Sequence, residues 1–240
     1  MNIGGKTVLI TGANRGIGLA LVTEALRRGA KRVYAGTRGA LDIADERVTP
    51  LTLDVTSTEQ IEQAESQVGG LDVLINNSGI APNDDLSDPV VIERALAVNF
   101  FGMYKVSRAF LPKLKRSKGA IVNNISLLAL APLPITPSYS ISKAAALSMT
   151  QSLRALVASE GITVHGVFLG PIDTDMNRGF DIPKASPESA AQGIFDGLEN
   201  GEEDIFPDPM SRSIADSWRN GVAKAFEKQY ASFVPQSVAL

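Results

Sequence analysis

The sequence predicts an α/β fold, a doubly wound parallel sheet of about seven strands flanked by helices. Two observations carry that prediction. Strand-like and helix-like segments alternate along the chain, and the first strand, Lys6–Thr11, is a short β-branched apolar run suited to burial on both faces. No internal repeat, low-complexity tract or linker divides the chain, so residues 1–240 are expected to form one domain, with an atypical helical segment from about 207 to 240.

The elements follow in order. Ile17, Leu21, Val22, Ala25 and Leu26 share a helical face, and Gly29 stops that helix. Strands are expected at Arg32–Ala35 and Leu51–Asp54. The crossover between them, Thr37–Pro50, leaves room for at most a short helix. Thr58–Val68 reads as helix and Leu71–Ile75 as the fourth strand, followed by a long helix from Val90 to Lys115. Ala120–Ile125, a helix over Ser138–Glu160 and a strand over Ile162–Leu169 continue the pattern. Ser186 caps a helix whose first residue is Pro187 and which runs to Leu198. A short seventh strand, Asp204–Phe206, and a last helix over Ser211–Tyr230 complete the reading.

Composition narrows the function. Net charge is −3 with no basic bias, which argues against a nucleic-acid partner. There is no cysteine, so thiolate catalysis, disulfides and Cys-ligated zinc are excluded. No signal-peptide pattern precedes the first strand, and the apolar stretch Leu127–Ile135 is broken by Pro132 and Pro134. A cytoplasmic protein with no membrane or metal site is the expectation.

Thr11-Gly12-Ala13-Asn14-Arg15-Gly16-Ile17-Gly18 lies where the first strand turns into the first helix. Glycines there let backbone approach a pyrophosphate, and the helix N-terminus offers free N–H groups and a positive dipole end. The second strand ends in Gly36-Thr37-Arg38, without the carboxylate that usually holds an NAD ribose. Arg38 and Arg15 suit a 2′-phosphate, so NADP(H) is favoured over NAD(H).

Tyr139 and Lys143 stand four apart on one helical face. A phenol alone is a poor acid or base near neutrality. A cation at ~4 Å, in an effective dielectric of ~20, is worth ~4 kcal/mol, or roughly three pKa units. Lys143 is therefore expected to bring Tyr139 towards neutrality, where proton transfer to a carbonyl oxygen is efficient. Ser126 ends the fifth strand, where a parallel sheet presents ligand-binding residues.

With these residues in order, the chain resembles the short-chain dehydrogenase/reductase family from residue 6 to about 206. Thr11–Gly18 is similar to its cofactor turn, and Asp54-Val55 to the pair that meets the adenine ring. Asn76-Asn77-Ser78-Gly79 resembles its Asn-Asn-Ala-Gly segment, Asn99 its helix asparagine, and Gly170-Pro171-Ile172-Asp173-Thr174 the loop at the nicotinamide carboxamide. Ser126 precedes Tyr139 by thirteen residues, and Tyr139-x-x-x-Lys143 matches the active-site signature. The resemblance implies a single-domain Rossmann fold and reversible hydride transfer between NADP(H) and a ketone, an aldehyde or the matching alcohol. It implies four catalytic residues: Tyr139 as proton donor and acceptor, Ser126 orienting the substrate oxygen, Lys143 binding the ribose, and Asn99 holding a relay water. Gly12, Asn14, Arg15, Gly16, Ile17, Gly18, Arg38, Asp54, Val55, Asn77, Ser78, Gly79, Tyr139, Lys143, Gly170, Ile172 and Thr174 are the cofactor contacts it implies. Assembly into a homodimer or homotetramer, through the helices 90–115 and 138–160, is a further implication.

The chain also departs from the family pattern. Ser78 replaces an alanine, Leu169 stands where a proline is usual, the 37–50 crossover is short, and so is the lid Met176–Ala185. The three prolines of Leu127–Pro137 imply a stiff, apolar pocket wall, and the short lid an open mouth. His165 and Trp218 read as packing residues, Trp218 alternatively as an interface residue, and Asp84-Asp85 and Glu202-Glu203-Asp204 as solvated loop charges. The spacing of Tyr139 and Lys143 argues against enoyl reduction, and the absence of a larger C-terminal domain against sugar-nucleotide epimerisation. The alternative from another class is a catalytically silent NADP(H)-binding regulator.

Overall fold

The structure is a computed structural model describing residues 1–234. One seven-stranded sheet, every pairing in it parallel, runs in the order β3-β2-β1-β4-β5-β6-β7. Its strands are β1 (Thr7–Thr11), β2 (Arg32–Thr37), β3 (Val48–Thr52), β4 (Val73–Asn76), β5 (Ala120–Asn124), β6 (Thr163–Val167) and β7 (Asp204–Ile205). The order reverses between β1 and β4, and such a switch opens a crevice at the carboxyl ends of the strands. This is the doubly wound, Rossmann-like α/β fold that the alternation predicts.

Helices cover both faces. On one side α1 (Gly16–Arg27) and α6 (Pro187–Glu199) pack together, with Leu21, Val22, Ile194 and Phe195 buried against Val8, Ile10 and Ile75. Arg28 ties the two helices through Glu24, Asp196 and Glu199 at 2.5 to 2.7 Å. On the other side lie α2 (Thr58–Gln67), α3 (Pro89–Leu96), α4 (Met103–Ser117) and α5 (Pro137–Val157). Here Phe110, Leu114 and Val106 bury against Leu9, Leu74 and Ile121. Successive residues of a buried strand thus serve opposite cores: Val8 and Ile10 one, Leu9 the other.

Several expected boundaries are corrected. The third strand is Val48–Thr52, not Leu51–Asp54, and includes Pro50. It pairs only with β2, and at an edge a proline forfeits no ladder bond. The crossover shrinks to 38–47 and contains no helix. The helix expected over Val90–Lys115 begins at Pro89 and is interrupted by a π-helical turn, Ala97–Gly102. The helix expected over Ser138–Glu160 ends its α-form at Val157 and closes in a 3₁₀ turn.

The last helix is three helices: α7 (Pro209–Arg212), α8 (Ala215–Arg219) and α9 (Val222–Tyr230). Gly221 is extended between the last two and breaks the run. The stretch 235–240 of the expected C-terminal segment lies outside the described residues. Among those described, no helix is long and apolar enough to cross a membrane.

The C-terminal helices are held by a charge cluster. Lys224 lies 2.8 Å from Asp204, 2.9 Å from Glu203 and 3.0 Å from Glu227. Arg154 of α5 also reaches Asp204 and Glu227, and the Trp218 indole N–H donates to Asp204 at 2.7 Å. Asp204 is therefore structural, not the solvated charge that its position in the sequence implies, while Glu203 pairs with Lys224 from an exposed position. His165 is a packing residue, buried with its two ring nitrogens on the Glu202 carbonyl and the Thr163 hydroxyl; burial holds its pKa down. Lys224 and Asp204 are both nearly inaccessible. Removing one partner of such a group leaves buried charge uncompensated, so Lys224→Met should cost about 3 kcal/mol in urea unfolding, with the m-value unchanged. A loss under about 1 kcal/mol would place the cluster with screened surface pairs.

Candidate active site

The expected site residues sit at the carboxyl ends of the strands. Gly12 to Gly18 link β1 to α1, Arg38 follows β2, Asp54-Val55 follow β3, and Asn77-Ser78-Gly79 follow β4. Ser126 follows β5, and Gly170, Ile172 and Thr174 follow β6. Gly12 and Gly16 have φ of +67° and +52°, and a Cβ at Gly18 would sit 2.0 Å from the Gly12 carbonyl oxygen. No other residue lets the helix start so close to the strand. Thr174 lies against Gly16, and the Asn14 amide against Gly39, so the loops after β2 and β6 flank this turn. The Ile172 side chain is buried in the core, leaving its main chain to the loop.

Asparagines join the strand ends. Asn77 donates from Nδ2 to the Thr11 carbonyl at 3.0 Å, and its Oδ1 accepts from Asn124 at 2.8 Å. The Thr11 hydroxyl accepts the backbone N–H groups of Asn77 and Ser78, both at 3.0 Å. Asn76 donates to Asn123 and to Ser107 of α4, and Asn123 donates to Thr150 of α5. These bonds set α4 and α5 against the sheet.

The catalytic candidates converge. The Lys143 ammonium donates to the Asn124 carbonyl at 2.8 Å and lies 5.6 Å from the centroid of the Tyr139 ring. Ser126 interacts through its side chain with the Tyr139 hydroxyl. The Ser126 hydroxyl also accepts the Leu128 N–H at 3.1 Å and donates to the Leu169 carbonyl at 3.4 Å. Asn99 sits fully buried in the π-helical turn, a distortion frequent at functional sites. It exchanges two bonds with the Ile80 backbone and donates to Ser142, which donates in turn to the Tyr139 carbonyl at 2.7 Å.

The electrostatics differ from the expectation for Tyr139. Burial pushes its hydroxyl above the usual phenol range, and the Ser126 hydrogen bond opposes this only in part. Burial also lowers Lys143 to about 8. The ammonium is engaged by a carbonyl rather than by the phenol oxygen, so desolvation outweighs attraction for both groups.

Arg15 and Arg38 carry largely exposed guanidinium groups, loosely paired with Asp175 at 3.6 Å and Asp54 at 3.7 Å. Between the lid and its base, an open concavity of about 290 Å³ is lined by Asp173, Thr174, Asp175, Arg178, Gly179 and Lys184. Its wall is charged, and Ser126, Tyr139 and Lys143 are not among its lining residues. Leu133 and Ile135, on the proline-rich loop, are exposed.

Two further acidic residues bear on the site, one expected to be a solvated loop charge and one with no role expected from the sequence. Asp84 is not a solvated loop charge. Thr136 makes no side-chain cap for α5, and Asp84 instead accepts the Ser138 N–H at 3.3 Å and the Ser138 hydroxyl. An anion there satisfies an orphan donor and suits the helix dipole, one residue before Tyr139. Asp208, fully buried, accepts the Gly170 N–H at 2.8 Å. Only a carboxylate placed before a helix-initiating proline, in Asp208-Pro209, marks it in the sequence.

For Lys143, the unfolded chain binds more protons than the folded chain between about 8 and 10.5, so this residue makes stability rise with pH across that window. Lys143→Met should remove the rise. The wild-type stability relative to the variant should increase by up to about 3 kcal/mol through the window, measured by urea unfolding from neutral pH upward. A constant difference would mean that Lys143 titrates normally.

The pattern of the short chain dehydrogenase family matches residues 6–184. Mouse estradiol 17-beta-dehydrogenase 2 is 36% identical over 194 residues, 74% of this chain and 51% of that protein. The chain thus spans about half the length of that curated relative. The 3-oxoacyl-(acyl-carrier-protein) reductase of Vibrio cholerae is 33% identical over 74% of this chain and 78% of its own. A short chain dehydrogenase from Burkholderia cenocepacia, solved in complex with NADP, superposes with a TM-score of 0.87 at 37% identity, covering 98% of this chain and 100% of that one. An NADPH-bound carbonyl reductase from chicken fatty liver gives a TM-score of 0.76 at 28% identity over 83% and 93%. On its sequence pattern, its sheet order and these relatives, the chain belongs to the short-chain dehydrogenase/reductase family of oxidoreductases.

Proposed function

We propose that this protein is an NADP(H)-dependent carbonyl reductase or alcohol dehydrogenase, with residues 1–240 acting as one unit. The observation that carries the reading is the convergence of Ser126, Tyr139 and Lys143 at the end of β5, with only β4 between it and the glycine turn of β1. The residues fit a dinucleotide: the Gly12–Gly18 turn is a cradle that a side chain at Gly18 would fill, and the first turn of α1 faces it. Arg15 and Arg38 fit a 2′-phosphate, since their pairings are long and their heads exposed, and no carboxylate ends β2.

When bound, the nicotinamide supplies or accepts the hydride. The chain's own residues do the rest. Ser126 orients the carbonyl oxygen by hydrogen bonding. Tyr139 gives that oxygen a proton in reduction and removes one in oxidation; burial raises its pKa, so the group starts protonated at neutral pH. Lys143 holds the ribose, and its ammonium favours the phenolate when the proton leaves. Asn99, through Ser142, connects the Tyr139 turn to the Ile80 backbone, the place for a relay water. Asp54, Val55, Asn77, Ser78 and Gly79 line the path between adenine and nicotinamide, with Gly170, Ile172 and Thr174 at its far end. Tyr104, Leu111, Met149 and Leu153 line an apolar groove between α4 and α5. It lies on the helix pair through which a homodimer or homotetramer would form.

NADPH oxidation against a panel of ketones and aldehydes tests the chemistry. Tyr139→Phe should lower kcat about a hundredfold or more, with NADPH binding retained; equal activity in both proteins would remove Tyr139 from the mechanism. Arg38→Ala should weaken NADPH by about tenfold and leave NADH nearly unchanged, as expected for loss of one charged hydrogen-bond partner. A wild-type preference for NADH would overturn the cofactor assignment.

A further inference from the structure

We propose that Asp208 is a positioning residue for the loop Gly170–Thr174, so that the C-terminal segment completes the active site as well as covering the sheet. The proposal rests on the NADP(H) reading above.

The two oxygens of this carboxylate have different partners. Oδ1 accepts the Ser211 N–H at 3.0 Å, capping α7, and Oδ2 accepts the Gly170 N–H at 2.8 Å. Capping a four-residue helix needs only one acceptor, which Asn or Ser also supplies. A carboxylate this deeply buried is costly unless donors surround it, and one of its two backbone donors belongs to the cofactor loop. The contact is specified from both ends. A Cβ at Gly170 would lie 2.6 Å from Asp208 Oδ1, so any side chain at 170 would expel the carboxylate.

Leu169 and Gly170 are thereby gripped from two sides. The Leu169 carbonyl accepts the Ser126 hydroxyl at 3.4 Å and the Leu127 N–H at 3.0 Å, while the next amide is held by Asp208. Leu169 does not lock its own φ as a proline would, so the restraint on the start of this loop comes from that amide. The segment carrying Asp208 is itself fixed. Ile214, Ala215 and Trp218 pack against Leu127, Ala129, Leu130 and Phe168, and the Lys224 cluster anchors α9 behind them. The C-terminal segment and Ser126 thus hold the start of the loop from two sides.

The test compares wild type, Asp208→Asn and Asp208→Ala. Backbone hydrogen exchange over residues 169–175 is measured without nucleotide, and binding of NADPH and of adenosine 2′,5′-bisphosphate, which lacks the nicotinamide half, by calorimetry. In Asp208→Ala, exchange of that segment should quicken and NADPH affinity fall, each by about fivefold or more, while the bisphosphate changes by less than about twofold. Asp208→Asn keeps one acceptor oxygen and should fall between, and it carries the comparison if the alanine variant does not fold. Unchanged loop exchange and NADPH affinity in both variants would overturn the proposal. Equal loss of both ligands would do so too, because it would make the residue merely structural. If wild type binds neither ligand, the cofactor reading falls and takes the positioning role with it.

Discussion

The site depends on a short set of amide hydrogen bonds across the carboxyl ends of β1, β4 and β5. Asn77 joins β4 to Thr11 and to Asn124, Asn76 joins Asn123 and α4, and Asn123 joins α5. The Asn124 carbonyl then takes the Lys143 ammonium. Buried amides have few alternative partners, and an unpaired one costs more than a satisfied one contributes. The network therefore fixes α5 in one register on the sheet, and with it both Tyr139 and Lys143. The glycine turn, Ser126 and the loop after β6 come to the same place because parallel strands end together at the switch point.

Burial sets the chemistry of that place. A cation near a phenol attracts its ionised form, and arithmetic at a modest dielectric makes the effect several pKa units. The structure reverses the sign for Tyr139, because its hydroxyl and the Lys143 ammonium are both desolvated and the ammonium is committed to a carbonyl. Burial thus holds a proton on Tyr139, whose hydroxyl lies with the Ser126 side chain. Lys143 is the group whose charge is easily changed. Local geometry, and not the Tyr–Lys spacing alone, decides which of the two titrates first.

Most of the sheet is legible in the sequence, because strands buried on two faces leave continuous apolar runs and their glycine and asparagine ends are distinctive. β3 is less so: Pro50 reads as a break, yet an edge strand tolerates it. The π-helical turn at Asn99 leaves no periodic signal, since one extra residue per turn is invisible in an otherwise amphipathic run. The site is legible where spacing along the chain reports it, as for Tyr139 and Lys143, or for the glycines of the turn. It is not legible where partners lie far apart. Asp84 meets Ser138 and Asp208 meets Gly170 only in the fold, and an isolated acidic residue reads as a solvated charge until its donors are seen.

The central claim is hydride transfer from NADPH to a carbonyl carbon with Tyr139 supplying the proton. The most direct measurement is a single turnover with NADPH deuterated at the transferring C4 position and an excess of a reducible ketone, the alcohol being analysed by mass and by NMR. The account predicts deuterium at the carbinol carbon, a primary isotope effect on the step, and loss of that product in Tyr139→Phe. Binding of the labelled nucleotide with no deuterium in any carbonyl product would contradict it.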